Sequence, residues 1–263
     1  MKGALLFAFN NDTVDYFEMA NYTAKRINKF LNLPVSVVTD SNTNLSQYSH
    51  TFDNVFVQDS DKSNIKNNKI WINKGRYKAF ELSPYTETLL LDTDYMVNSN
   101  QLSTVFDLYD DFMCHESTGF VLNTDAPQEN ISSTSFRTLW ATVMFFKKTQ
   151  RVKQLFQCMK MVQENYMHYV NLYNMQSTMY RNDYSLTIAL RIVNGQSEVN
   201  QDYIPWKLKH VSSDVSINRI DDTKYIAFKD VNVQSKIKTN YCYLNDVDFH
   251  CLDKKAFMDL TND

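Results

Sequence analysis

Residues 89 to 97, LLLDTDYMV, place two carboxylates, Asp92 and Asp94, at the end of a short apolar run. Such a run bounded by polar residues reads as a strand buried on both faces of a sheet. On a strand, residues two apart point to the same side, so Asp92 and Asp94 can share one ligand while Thr93 faces away. Two carboxylates at the end of a buried strand are costly unless something cationic neutralises them. A divalent metal on oxygen ligands, completed by substrate phosphates, is the simplest such partner. The alternative is two solvated aspartates in a strand-to-loop turn.

The elements around this triplet must bring further polar groups to it. GALLFAF, 3 to 9, reads as a buried strand ending at Asn10 and Asn11. A helix follows, with Asn11 or Asp12 as its cap and Asp15 in its first turn. Val14, Phe17, Ala20, Ala24, Ile27 and Leu31 give it one apolar stripe. Pro34 stops it, and VSVVTD, 35 to 40, is a second strand ending at Asp40. A strand-helix-strand opening predicts a parallel sheet, whose ligands bind beyond the carboxyl ends of the strands. Asn10, Asn11, Asp40, Asp92 and Asp94 all fall at such ends, so polar residues scattered in sequence converge on one edge.

The other elements follow in order. FDNVFV, 52 to 57, is a short strand. From 62 to 78 there are six basic residues and no acidic one, leading into a helix that Pro84 ends. A solvated face is the plain reading of this run; a place beside a diphosphate is the chemical one. Residues 99 to 111 read as a short capped helix, 112 to 116 as a strand, 123 to 135 as a polar loop and 139 to 146 as a buried strand. A helical region broken near Asn174 runs to Gly195 and carries Lys147, Lys148, Arg151, Lys153 and Lys160, then several tyrosines. Residues 204 to 211 are extended. Beyond 212 the chain is polar and mixed, with a strand at 224 to 228 and a last apolar piece at 246 to 257.

The whole composition bounds the function classes. With 263 residues, 43% hydrophobic and 22% charged, the chain is of ordinary globular composition and can bury a large core. A net charge of −3 gives no global argument for a nucleic-acid or membrane partner. The four glycines, Gly3, Gly75, Gly119 and Gly195, are far apart, which excludes a Walker loop and a GxGxxG turn. Any phosphate must be held another way. Four cysteines without CxxC spacing read as reduced thiols, and a cytoplasmic location is expected. No apolar run reaches the length of a membrane span.

Strand-helix-strand, a basic segment and apolar-DxD-apolar, in this order, resemble the nucleotide-binding half of GT-A glycosyltransferases, most closely the small retaining enzymes of glycosyltransferase family 8. WATVMFFKKTQRVKQLF resembles that family's acceptor-side strand and helix, RNDYSLTIAL its Asp-containing helix start, and FHCLDKKAF its closing histidine-to-lysine signature. Two departures bear on the acceptor side. Trp140-Ala141-Thr142 stands where the family has Asn-Ala-Gly, and the glycine after the histidine is replaced around Cys251-Leu252.

The resemblance implies an α/β fold: a single GT-A domain over 1–263 with a mixed, mainly parallel central sheet flanked by helices. Residues 1–105 would form the nucleotide-sugar half, 106–210 the acceptor half, and 211–263 a segment closing the metal site. It implies Asp92, Asp94 and His250 as ligands of Mn²⁺ or Mg²⁺, an imidazole among carboxylates favouring Mn²⁺. Lys254 would touch the donor diphosphate, with Arg76 or Lys74 as a second cation. Asn10, Asn11 and Asp40 would line base and ribose, and Asp183 would face donor sugar and acceptor. The implied donor is a UDP-sugar and the implied outcome retention. The Asn- and Met-rich, glycine-poor composition also resembles that of bacteriophage products, which would place the protein in the host cytoplasm. Small phage GT-A proteins include enzymes that glycosylate hydroxylated cytosines of their own DNA, and stretches 62–78 and 147–160 are compatible with a phosphate backbone. A glycan or small-molecule acceptor, a nucleotide-sugar hydrolase and a binding module without catalysis stay open beside it.

Overall fold

A computed structural model describes residues 1–66, 69–108, 110–122, 130–196, 203–233 and 236–261. The chain opens with β1 (Lys2–Phe7), α1 (Tyr16–Leu31) and β2 (Val35–Thr39), as the apolar runs predict. Phe17, Ala20, Ala24, Ile27 and Leu31 form the buried stripe of α1. Its cap differs from the expectation. Asp15 is the N-cap, accepting from Glu18 N at 2.9 Å, while Asn11 Oδ1 accepts from the backbone of Thr13 and Val14 and turns the chain one step earlier.

There follow β3 (Asn54–Val57), a two-stranded hairpin of β4 (Ile65–Lys66) and β5 (Lys69–Ile70), and the short α2 (Ala79–Leu82). Next come β6 (Glu87–Leu91), β7 (Tyr95–Met96), β8 (Phe112–His115), β9 (Thr118–Phe120) and β10 (Trp140–Lys147). The helix expected over 99 to 111 is a tight 3₁₀ turn at Gln101–Asp107, with no side-chain cap to set an α-helix going. Most of the loop expected at 123 to 135, residues 123–129, lies outside the described residues. The long helical region divides into α3 (Gln150–Glu164), α4 (Tyr166–Leu172) and α5 (Asn182–Val193), with Asn174 left-handed at φ 50° in the break.

The main sheet has the order β3-β2-β1-β6-β10-β8. β3, β2, β1 and β6 are mutually parallel, and β10 runs antiparallel to both β6 and β8. The fold is thus α/β with a mixed, mainly parallel sheet flanked by helices. Alternation along the strands splits the core into two layers. Leu5, Val38, Leu90 and Met144 pack with Leu155, Phe156, Met159 and Leu186 of α3 and α5. Ala4, Leu6, Val37, Leu89, Leu91 and Phe145 pack with the α1 stripe. At one point the layers allow no side chain at all. A Cβ on Gly3 would lie 2.5 Å from the ring of Tyr85, which is buried and bonded to Ser36 Oγ at 2.8 Å.

The tail is more ordered than its polar composition suggests. After β11 (Leu208–Val211) come β12 (Ser216–Arg219), β13 (Lys224–Val233) and β14 (Lys236–Asn245), an antiparallel three-stranded sheet, then β15 (Phe249–Cys251) and α6 (Lys254–Asp259). Arg26 of α1, almost fully buried, pins this sheet to the layer that packs against α1. Its Nε donates to Val97 O at 2.9 Å and its Nη1 to Asp222 Oδ1 at 2.7 Å. The fourth sheet matters most for function. It runs β7-β15-β11-β9, so the last strand of the chain is inserted beside the segment that follows β6. No helix among the described residues is long and apolar enough to cross a membrane.

Candidate active site

β6 ends at Leu91, so Asp92 to Asp94 do not lie on the strand as the alternation argument supposed. They form a turn closed by Tyr95 N donating to Asp92 O at 3.2 Å. Asp92 N donates to Thr142 O of β10 at 2.9 Å, and Thr23 Oγ1 of α1 donates to Thr93 O at 2.7 Å. The turn is therefore held from both sides.

β15 pairs antiparallel with β7, putting His250 opposite Tyr95, and Cys251 N donates to Asp94 O at 3.0 Å. This brings the imidazole to the aspartates. His250 Nε2 is 3.0 Å from Asp94 Oδ2, and ligand atoms of Asp92, Asp94 and His250 all lie within 4.8 Å of one another. One residue-turn later, Lys254 opens α6 and its Nζ donates to the same Asp94 oxygen. Asp253 caps that helix, accepting from Lys255 N at 2.9 Å and Ala256 N at 3.1 Å. Arg76, also buried, donates to Asp92 Oδ1. Its Nε and Nη2 are buried and have no hydrogen-bond partner among the described residues.

The electrostatics follow from this packing. Burial pushes the Asp94 carboxyl up, but His250 and Lys254 outweigh burial and hold it well below the usual carboxylate range. Burial works against the Lys254 ammonium, and Asp94 reverses that, so its pKa is raised. The Tyr16 phenol is raised by burial, with Lys254 lowering it and Asp94 and Asp92 raising it, which marks Tyr16 as a further group facing the cluster.

Two carboxylates and an imidazole fit a divalent cation. Ligand atoms each about 2.0–2.2 Å from one ion sit up to about 4.4 Å apart, close to the span observed. Mixed oxygen and nitrogen donors suit Mn²⁺ as well as Mg²⁺. Without a metal, the protein's own cations, Lys254 and Arg76, neutralise the two aspartates.

No family model matches the sequence, and no curated protein matches it. Solved structures similar to the chain include three glycosyltransferases. GlyE of Streptococcus pneumoniae TIGR4 has a TM-score of 0.45 at 11% identity over 72% of this chain. The galactosyltransferase LgtC, in complex with donor and acceptor sugar analogs, has a TM-score of 0.49 at 15% identity over 72% of this chain. Mouse xyloside xylosyltransferase 1 has a TM-score of 0.44 at 9% identity over 73%. The chain spans 43% of the GlyE chain, 70% of LgtC and 82% of the mouse enzyme.

Asp183, in the first turn of α5, accepts from Ala141 N at 2.9 Å and from Arg181 Nη2 at 3.0 Å. Ala141 adjoins Thr142, whose carbonyl receives Asp92 N, so β10 carries Asp183 toward the cluster through its backbone. Asp40 is buried at the end of β2. Its Oδ1 accepts from Asn42 N and Thr43 Oγ1, both at 3.2 Å, while its Oδ2 has no partner among the described residues. Asn10 Oδ1 accepts from Phe17 N at 2.9 Å, and Asn11 is spent on the turn already described. Both asparagines thus shape the β1–α1 loop as well as standing at the sheet edge.

Lys74 is not joined to the cluster by any hydrogen bond or ion pair among the described residues; its Nζ donates to Ser63 Oγ at 2.6 Å and lies 3.8 Å from Asp61. The basic stretch 147–160 is largely engaged. Lys147 donates to Leu108 O, Lys148 to Ser83 O, Arg151 pairs with Asp111, and Lys160 lies 3.7 Å from Glu164. Lys153 is exposed, and the side chains of Lys66 and Lys69 lie outside the described ones.

Sequence reasoning passed over His210. It lies in β11, opposite His250 in a parallel register, with the two Nδ1 atoms 3.1 Å apart. Burial and His250 together lower its pKa to about 3. The signal was present: WKLKHV and VDFHCL each put a histidine before a small apolar residue in a short strand. Only the pairing of the strands makes them neighbours.

Proposed function

We propose that the protein is a metal-dependent glycosyltransferase that moves a sugar from a nucleotide diphosphate sugar, a UDP-sugar, to an acceptor hydroxyl. The observation that carries this reading is the meeting of Asp92, Asp94 and His250 in one cluster flanked by Lys254 and Arg76, at the carboxyl edge of the parallel strands. Breaking the bond between sugar and diphosphate develops negative charge on the leaving phosphate. Asp92, Asp94 and His250 would hold Mn²⁺ or Mg²⁺, which would supply Lewis-acid neutralisation of that charge.

The chain's own residues do the rest. Lys254 and Arg76 would turn their donors to diphosphate oxygens. The unpartnered Nε and Nη2 of Arg76 are donors of the kind a phosphate takes. Asp40, with one free carboxylate oxygen, accepts from the base or ribose, beside Asn10 and Asn11. Asp183, fixed by Ala141 N and Arg181, faces the sugar and the acceptor. This arrangement holds phosphates with side chains, as a chain of four isolated glycines must.

The test is to incubate pure protein with a panel of nucleotide sugars, with and without Mn²⁺, and with hydroxymethylated DNA, a glycan or a simple alcohol as acceptor. Nucleoside diphosphate release that needs metal, and falls by about a hundredfold or more in Asp94→Asn, is the expected result. Release of nucleoside monophosphate would replace the transferase by a nucleotidyl-type or hydrolytic enzyme. Absence of both donor and metal binding would leave a binding module. Product on DNA only, lost in Lys153→Glu while donor hydrolysis persists, would identify DNA as the acceptor.

A further inference from the structure

His210 and His250 face each other across adjacent parallel strands, with ring centroids 5.1 Å apart and their Nδ1 atoms at 3.1 Å. His210 is 1% exposed, wedged between the rings of Trp140 and Phe120, each 5.1 Å away. Its Nε2 has no partner among the described residues. The other nitrogen of His250, Nε2, points to Asp94.

Two ring nitrogens at this distance share a single hydrogen, so the pair has two settings. In one, His210 donates Nδ1–H to His250, and His250 carries its proton on Nε2 and donates it to Asp94. In the other, His250 donates Nδ1–H to His210, and its Nε2 lone pair is free for a cation. A ligating imidazole requires the second setting, because its other nitrogen must carry the proton and have an acceptor for it. Among the described residues, nothing but His210 offers that acceptor to His250.

We infer that His210 is a positioning residue that fixes the tautomer of His250 by accepting its Nδ1–H when a divalent cation binds. The inference rests on the proposed metal site. It also gives His210 a part that packing alone does not explain. A hydrocarbon ring would fill the space between Trp140 and Phe120 without burying a nitrogen that lacks a partner. Without metal the first setting is favoured, because only there does His250 Nε2–H donate to Asp94. On cation binding His250 gives up its Nε2 proton to solvent, the shared hydrogen passes from His210 to His250, and His210 takes a proton from solvent on Nε2, so both rings stay neutral and no net proton is gained or lost.

The experiment is Mn²⁺ titration of the donor-free protein, with free Mn²⁺ read by electron paramagnetic resonance. His210→Phe keeps the ring and removes the nitrogen; His210→Asn keeps an acceptor near the Nδ1 position. We expect His210→Phe to weaken Mn²⁺ binding by about tenfold or more and His210→Asn to restore most of it. Ring ¹⁵N spectra of the parent should show the His210 proton on Nδ1 without metal and on Nε2 with Zn²⁺ as a diamagnetic substitute. This reading needs no variant to fold. Equal Mn²⁺ affinity in the parent and a folded His210→Phe protein, or a His210 proton that stays on Nδ1 when Zn²⁺ binds, overturns the positioning role alone. A parent whose Mn²⁺ binding is absent, or unaffected by Asp94→Asn, overturns the metal site and this inference with it.

Discussion

Asp94 answers to two partners at once, the His250 imidazole and the Lys254 ammonium, from a place where water scarcely reaches. The aspartates were legible from the residues themselves, because carboxylates after three leucines have to be neutralised. His250 and Lys254 were reached only through the resemblance of FHCLDKKAF to a family signature, since a lone histidine near the tail does not show what it will face. Asn10, Asn11 and Lys74 show the limit. Each is a type that could touch a nucleotide, yet their side chains also bond the loops they sit in, and composition does not rank those uses. Another buried histidine yields a pH prediction. His115 has both ring nitrogens buried without a partner among the described residues, and burial lowers its pKa to about 3. Its unfolded value is about 6.5, so below that pH the unfolded chain binds a proton that the native chain refuses. Stability is full above pH ~6.5 and declines as pH falls toward about 3. Thermal unfolding across that range should show a shallower acid decline in His115→Phe than in the parent; identical slopes would mean that His115 finds a proton acceptor in the native state.

The elements that apolar periodicity governs were the readable ones. β1, α1, β2, β6 and β10 bury Leu6, Ile27, Val37, Leu90 and Phe145 as their patterns require. β14 was missed because its outward side chains, Ile237, Tyr241 and Tyr243, are exposed, so no face of it reads as core. The Asp92–Asp94 turn was taken for a strand because period two and a tight turn can both bring residues i and i+2 together. Close approach between elements is likewise invisible in composition, and Gly3 supplies its test. Gly3→Ala removes unfolded-state entropy worth about 0.4–1 kcal/mol in favour of folding, but its methyl collides with the Tyr85 ring, and overpacking costs about 1–3 kcal/mol. The collision should win. Urea unfolding of Gly3→Ala is expected to show a lower midpoint with an unchanged slope, and a raised midpoint would mean that Tyr85 moves aside without cost.

At the scale of the whole molecule, the cluster is a clasp between the middle of the chain and its last strand. A cation bound there would hold β7 against β15 and stabilise only the assembled state. At about 100 times its dissociation constant, such an ion adds about 2.7 kcal/mol. For a chain of this size that corresponds to a rise in melting temperature of roughly 5–11 °C. Differential scanning calorimetry should show this rise with Mn²⁺, its reversal by chelator, and its absence in Asp94→Asn; an equal rise in the variant would place the ion elsewhere.

The clasp also has a timetable. Lys254 follows Asp94 by 160 residues, so on a translating ribosome the aspartate emerges roughly 8–32 s before the ammonium that neutralises it. Throughout that interval the nascent polypeptide can build its parallel strands with Asp92 already beside Arg76 and Asp94 still uncompensated, and only the closing segment from β15 into α6 completes the cluster.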